Sequence, residues 1–200
     1  MKHKGYRLMS FVDHSADLRK VEAFSATHND YIGYCLARGS IDPISAEILF
    51  HLYPRHRILA TLLCEHHLRY SEAILLDPKH IFLDKNLSVF QPKTARVRAC
   101  DNTNRVLYFR GYTNWSGFNI FPSSYESLKN DIKRCTPSIL KAWTTDFKDC
   151  THIFRHIWAT NQFQQNVDLS CIGAGLGHSD KDSIKNYIHT AIPKGLSIQI

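Results

Sequence analysis

THIFRHIWATNQFQQNVDLSCIGAGLGHSDKDSIKNYIH, residues 151–189, is the stretch whose reading decides the fold. Apolar residues recur at helical spacing from Thr151 to Phe163, Asp168 stands as a cap before a second helix to Leu176, and a third is expected from Asp180 to His189. Three chemistries compete for this stretch. IGAGLG (172–177) is glycine-rich like a dinucleotide-binding loop, but a GxGxxG run from Gly173 needs glycine at 178, where His178 stands, and no βαβ unit surrounds it. His152 and His156 are spaced i, i+4, as a zinc pair on one helix face would be, yet HIFRH lacks the glutamate of HExxH and no third ligand is evident. The third pattern is larger: His152 and Arg155 at i, i+3, His178 23 residues after Arg155, and Tyr187 nine residues further on in a polar helix. Each residue alone has an ordinary reading as packing or surface polarity. Their joint spacing carries the information.

Outward from this stretch, ISAEILFHLY (44–53) reads as a helix, Pro54 interrupts it, and RHRILATLLCEHHL (55–68) continues as an apolar-striped helix, the pair forming a core hairpin. HIFLDKN (80–86), LSVFQPK (87–93) and RVRACDN (96–102) read as three short strands of an antiparallel meander. SSYESLKNDIKRC (123–135) opens as a capped helix with Glu126 in its first turn, and PSILKAWTTDF (137–147) reads as another. The final LSIQI (196–200) alternates as a strand does. Residues 1–40 have no long periodic pattern, although Ala16 to Ser25 and Tyr31 to Ala37 suit short helices. The expectation is therefore an arm over 1–40 and one domain over 41–200, α+β in class and mainly helical, with a small three-stranded antiparallel sheet.

With 200 residues, 44% of them hydrophobic and 22% charged, the chain can bury one substantial core, and two full domains are not expected. No apolar run approaches the roughly 20 residues of a membrane span, and the basic MKHKGYRLMSF has no apolar segment behind it, so neither a membrane partner nor a secretory signal is expected and the protein reads as intracellular, in the cytoplasm or on the nucleoid. Six cysteines show no CxxC pair and read as reduced thiols. A net charge of +7 favours a polyanionic partner, nucleic acid first among them.

THIFRHIWAT resembles the HxxRH box of the tyrosine recombinase, or phage integrase, family, and LGHSDKDSIKNYIH resembles its LGH...Y box. Upstream, LLCEHHLRYSEAILL is similar to the family's first arginine box, with Arg69 before a Ser-Glu pair at a helix junction. The resemblance covers residues 41–190 and implies a catalytic set of Arg69, Lys93, His152, Arg155, His178 and Tyr187. Lys93 stands at the hairpin turn in FQPKTARVR where the family carries its lysine; Lys85, in the preceding turn, is the alternative should the register shift. Glu72, beside Ser71, is expected to brace Arg69 or a helix end. One departure is evident: CEHHLR stands where the family often has a Thr-Gly pair before Leu-Arg, which leaves the turn geometry open. The N-terminal helical domain of most members is not matched by residues 1–40, and in length the chain is similar to short members such as fimbrial-switch invertases, or to a truncated integrase.

The resemblance implies chemistry that suits these residue types. Two guanidiniums can clamp the non-bridging oxygens of a phosphodiester and stabilise the charge of its transition state. A lysine can protonate the leaving 5′ oxygen, and an imidazole, His152 before His178, can take the proton of the attacking tyrosine, with His178 donating to phosphate. A 3′-phosphotyrosyl intermediate follows, with no cofactor or metal required. The expected partner is double-stranded DNA carrying short, inverted sites, bound by a homo-oligomer of two to four copies, with the residues after Tyr187 packing on a neighbouring copy. The rival expectations are a DNA-binding accessory protein of the same fold that does not recombine, and a type IB topoisomerase-like nicking enzyme.

Overall fold

The computed structural model describes residues 28–109, 124–140, 143, 150–178 and 181–189. The helix read at 16–25, the strand read at 196–200 and most of PSILKAWTTDF lie outside them. The described chain begins in α1 (28–37), within the segment read as an arm, and α1 contributes Tyr31, Ile32 and Cys35 to the main core. Asp42 then starts α2 (Pro43–His51), its carboxylate accepting from the Ser45 N–H at 2.9 Å, with Pro43 in the first turn where its missing N–H costs nothing. Pro54 opens α3 (Pro54–Glu65), so the break between the two helices falls where the sequence puts it. Ile48, Leu49, Leu59, Leu62 and Leu63 of this pair pack on Ile153, Phe154 and Ile157 of α8 (Ile153–Gln164). Each such side chain contributes about 1.5–3 kcal/mol on burial.

Between α3 and α8 run α4 (Tyr70–Ala73), α5 (Pro78–Leu83), strands β1 (Asn86–Gln91) and β2 (Arg96–Asp101), α6 (Thr103–Tyr108) and α7 (Tyr125–Cys135). The strands pair antiparallel from Asn86 opposite Asp101 to Gln91 opposite Arg96. The described sheet therefore has two strands, not the three expected. The first four residues of HIFLDKN, His80–Leu83, are helical because Asp77 caps the segment, accepting from the Lys79 N–H at 2.8 Å, and a proline follows at the first helical position; that start signal outweighs the single β-branched residue, Ile81. The short α6 was not expected at all. It carries Arg105, which is fully buried and donates to Glu65 at 2.7 Å.

Beyond α7 come 3₁₀ turns at Ser138–Leu140 and Cys150–His152, then α8, α9 (Leu169–Leu176) and α10 (Lys181–Lys185). Asp168 caps α9 as expected, accepting from the Ser170 N–H at 2.7 Å. The glycines of GAGLG serve packing. A Cβ on Gly173 would meet Ile184 at 2.6 Å and one on Gly175 would meet Trp158 at 2.4 Å. Close approach joins α9 to α10 and α8, and a second cluster of Ala159, Ile172, Leu176, Ile184 and Tyr187 fills the seam. No helix among the described residues is long and apolar enough to cross a membrane.

Candidate active site

The first corner of the site is the turn after α3. His66 closes that helix, and His67 takes a left-handed conformation (φ +51°) that a residue with a Cβ rarely adopts. Its ring stacks on Trp158, centroids 4.1 Å apart, which holds the turn without glycine. This resolves the CEHHLR departure: the chain makes its left-handed turn with histidine. Buried Leu68 follows, and Arg69 occupies the position before α4. Glu72 reaches back, accepting from the Arg69 N–H at 2.9 Å and from its Nη1 at 2.6 Å. Burial alone would raise the Glu72 carboxyl, but the hydrogen bonds from Arg69 and the charges of Arg69 and Arg98 outweigh it and hold the carboxyl below its usual range. Glu72 thus braces Arg69 as expected.

The second corner is Arg155, in the first turn of α8 and fully buried. Its guanidinium donates to the carbonyls of His67 and, at 2.8 Å, Leu176, and lies 5.1 Å from the centre of the Tyr187 ring. No carboxylate among the described residues lies within ion-pair distance of it. Its buried Nε has no hydrogen-bond partner there. Burial lowers its pKa to about 10, against the opposing pull of the Tyr187 side chain, so it is charged at neutral pH.

His178 joins the corners. Helix α9 ends at Gly177, in the left-handed region (φ +67°), and the His178 N–H donates to the Gly173 carbonyl at 2.8 Å. Its Nε2 then lies 3.1 Å from Nη2 of Arg69 and 3.0 Å from Nη2 of Arg155. Guanidinium only donates, so Nε2 accepts from both and the ring is neutral with its proton on Nδ1. Burial, then the charges of Arg155 and Arg69, lower its pKa to about 4. Sequence reading missed the side chains that hold this turn. Arg98 of β2 donates to the Gly175 carbonyl at 2.9 Å and to that of His66 at 2.9 Å, and Gln91 of β1 donates to the Gly177 carbonyl at 3.3 Å.

Tyr187 lies in a turn after α10, not within a helix as expected, because α10 stops at Lys185. Its N–H donates to the Ile184 carbonyl at 2.8 Å, and its carbonyl accepts from the Thr160 hydroxyl at 3.3 Å, which tethers the turn to α8. The hydroxyl lies 3.5 Å from Nδ1 of His152, at the outer limit of a hydrogen bond, and the ring is flanked by those of His156 and His178 at 4.7 and 5.2 Å. His152 belongs to the 3₁₀ turn ahead of α8. His156 meets Nε2 of His189 at 3.1 Å, and His189 stacks on Trp143. Burial, then the charges of His189 and His152, lower the His156 pKa to about 3.

Five of the six expected residues therefore converge: Arg69, Arg155, His152, His178 and Tyr187. Lys93 is exposed in the β1–β2 turn and borders a cleft, about 250 Å³ in volume, with Arg69, Glu72, Gln91 and His178; Arg155, His152 and Tyr187 do not line it. Lys85 lies at the other end of β1, where its carbonyl accepts from Asn102 at 2.7 Å, and does not line the cleft. A family model described as the phage integrase family matches residues 44–192. No curated protein and no solved structure matches the chain.

Proposed function

This chain belongs to the phage integrase family, and we propose that it is an active site-specific recombinase that cuts and rejoins DNA strands through Tyr187. The observation that carries this reading is the convergence of two guanidiniums on one imidazole nitrogen, at 3.1 and 3.0 Å, beside a tyrosine that Arg155 approaches at 5.1 Å. Nε2 of His178 occupies the place an anionic oxygen would take. A scissile phosphate displaces it there, Arg69 and Arg155 hold the non-bridging oxygens, and His178, relieved of two guanidinium donors, turns to hydrogen-bond the phosphate.

The Tyr187 oxygen then attacks phosphorus as the bond from phosphorus to the 5′ oxygen breaks. The phenolic proton passes to His152, the nearest base to the hydroxyl at 3.5 Å, and the leaving oxygen takes a proton from Lys93 across the cleft. The product is a 3′-phosphotyrosyl bond and a free 5′ hydroxyl. Its energy is close to that of the bond broken, so attack by a 5′ hydroxyl from another strand completes exchange without a cofactor. Exchange between two sites requires at least two protomers, each holding a duplex through salt-dependent phosphate contacts.

The test uses duplexes randomised on both sides of one phosphodiester, nicked nearby so that the cut fragment diffuses away. Wild-type protein is expected to yield a detergent-resistant protein–DNA adduct, unaffected by chelator and absent in Tyr187→Phe. An adduct that persists in Tyr187→Phe, or none with wild type, overturns the reading.

A further inference from the structure

The Lys93 turn is tied to the Arg69 corner and to the turn that carries His178 through one buried side chain. Gln91, the last residue of β1, is 6% exposed although it is polar and adjoins an exposed turn. Its amide nitrogen donates to Oε1 of Glu72 at 3.4 Å and to the Gly177 carbonyl at 3.3 Å, while its carbonyl oxygen accepts from the Thr94 hydroxyl at 3.5 Å. The partners belong to three separate units. Glu72 is the brace of Arg69, Gly177 is the residue before His178, and Thr94 is the neighbour of Lys93. Each bond is long and individually weak, but together they use both amide protons and the oxygen of one side chain.

The local backbone supports the same arrangement. The Thr94 N–H donates to the Gln91 carbonyl at 3.2 Å, closing the turn that carries Lys93. On the other side, a Cβ on Gly177 would come within 2.1 Å of the Gln91 amide nitrogen, so the α9 terminus and β1 are as close as a glycine allows. Arg98, on the paired strand, provides a second anchor through the Gly175 and His66 carbonyls.

We infer that Gln91 is a positioning residue: it sets the Lys93 turn against Arg69 and His178, so that the ammonium reaches the leaving 5′ oxygen while the guanidiniums hold the same phosphate. This rests on the reading of Lys93 as proton donor. A lysine on a free hairpin turn would sample many positions, whereas general-acid catalysis requires the donor within about 3 Å of the atom it protonates.

The experiment compares two pools of the randomised, nicked duplexes, one with the ordinary bridging 5′ oxygen and one with sulfur in its place. A thiolate leaves without a proton, because thiols are far stronger acids than alcohols. Gln91→Met keeps the length of the side chain and loses its hydrogen bonds. Adduct formation by Gln91→Met is expected to fall about tenfold or more on the oxygen pool, part of the 10²–10⁴-fold a general acid supplies, and to return to near wild type on the sulfur pool. Lys93→Ala should show the same rescue from a deeper loss. A wild-type rate for Gln91→Met on oxygen overturns the inference. So does an equal loss on both pools while Lys93→Ala is rescued, which would make Gln91 a support of the whole cleft. Failure of sulfur to rescue Lys93→Ala overturns the assignment of Lys93, and this inference with it, as a separately recognised result. If Gln91→Met is unfolded at the assay temperature, Thr94→Val, at an exposed position, carries the test: a smaller loss on oxygen, again rescued by sulfur, supports the inference, and no loss overturns it.

Discussion

Arg105 and Arg155 are both fully buried, and their surroundings differ in one respect that separates structure from chemistry. Arg105 faces a carboxylate: it donates to Glu65 at 2.7 Å, lies 4.9 Å from the Tyr31 ring, and Tyr31 in turn donates to Glu65. Burial would lower its pKa, but Glu65 more than compensates and the net direction is upward. Among the described residues Arg155 has only carbonyls, a neutral imidazole and the face of a tyrosine for partners, and its pKa falls to about 10. A buried cation without a counter-ion is costly unless an anion arrives to complete it. The first arginine holds elements together; in the proposed reading the second receives a phosphate.

The largest test of this contrast is a pair of substitutions. Arg105→Met strands the Glu65 carboxylate and is expected to cost about 3–5 kcal/mol in denaturant unfolding, while the folded fraction keeps its adduct-forming activity. Arg155→Met is expected to change stability by only about 1 kcal/mol, since the lost carbonyl hydrogen bonds are offset by removal of a desolvated charge. Adduct formation should nonetheless fall by about 10²–10³-fold or more. Equal destabilisation by the two would erase the distinction.

A second test supplies an anion. Inorganic phosphate should raise the unfolding free energy of the wild type, by about 2.7 kcal/mol at one hundred times its dissociation constant, and should leave Arg155→Met unmoved. Thermal unfolding across a phosphate titration reads this directly. Stabilisation of equal size in Arg155→Met would locate the anion elsewhere.

The third concerns pH. His178 and His156 have folded pKa values near 4 and 3, below the ordinary 6.5, so the unfolded chain binds more protons as pH falls through this window. Stability is therefore full above about pH 6.5 and declines below it, each histidine contributing at most about 1.4 kcal/mol per pH unit until its folded pKa is reached. His178→Gln should make that decline shallower between pH 6 and 4. An unchanged slope would mean that His178 is not held neutral by burial and its two guanidinium neighbours.

The contrast between the two arginines also marks what the sequence could disclose. Arg155, His178 and Tyr187 were legible because their spacing along the chain is set by local structure: the start of α8, the capped α9 and the glycine that ends it. Helix starts at Asp168 and Ser124 were legible for the same reason, whereas the cap at Asp42 was not read. The exception is instructive, for Asp77 and the proline after it gave an equally local start signal, and the residues that follow were read as a strand. Arg105, Arg98 and Gln91 were not legible. Their partners lie 40, 77 and 86 residues away for Glu65, Gly175 and Gly177, and no local pattern encodes such contacts. The left-handed turn at His67 was hidden because histidine gives no sign of it until Trp158 is in contact.

The smallest expected effect sharpens the frame around Arg155. Gly177 (φ +67°) and Gly39 (φ +69°) share a left-handed conformation, but a Cβ on Gly39 meets nothing within 4 Å while one on Gly177 meets the Gln91 amide. Each alanine substitution should cost about 1 kcal/mol for the backbone. The excess for Gly177→Ala, expected in the same denaturant titrations, isolates the contact between Gln91 and the turn that presents Leu176 and His178.

The most direct test of the central claim is the chemical identity of the covalent link. Adduct formed on the randomised duplexes, digested with nuclease and protease and analysed by mass spectrometry, is predicted to carry a nucleotide 3′-phosphate on Tyr187, with a 5′ hydroxyl on the released strand that a polynucleotide kinase can phosphorylate. A nucleotide attached to any other residue, or joined through its 5′ phosphate, would contradict the account.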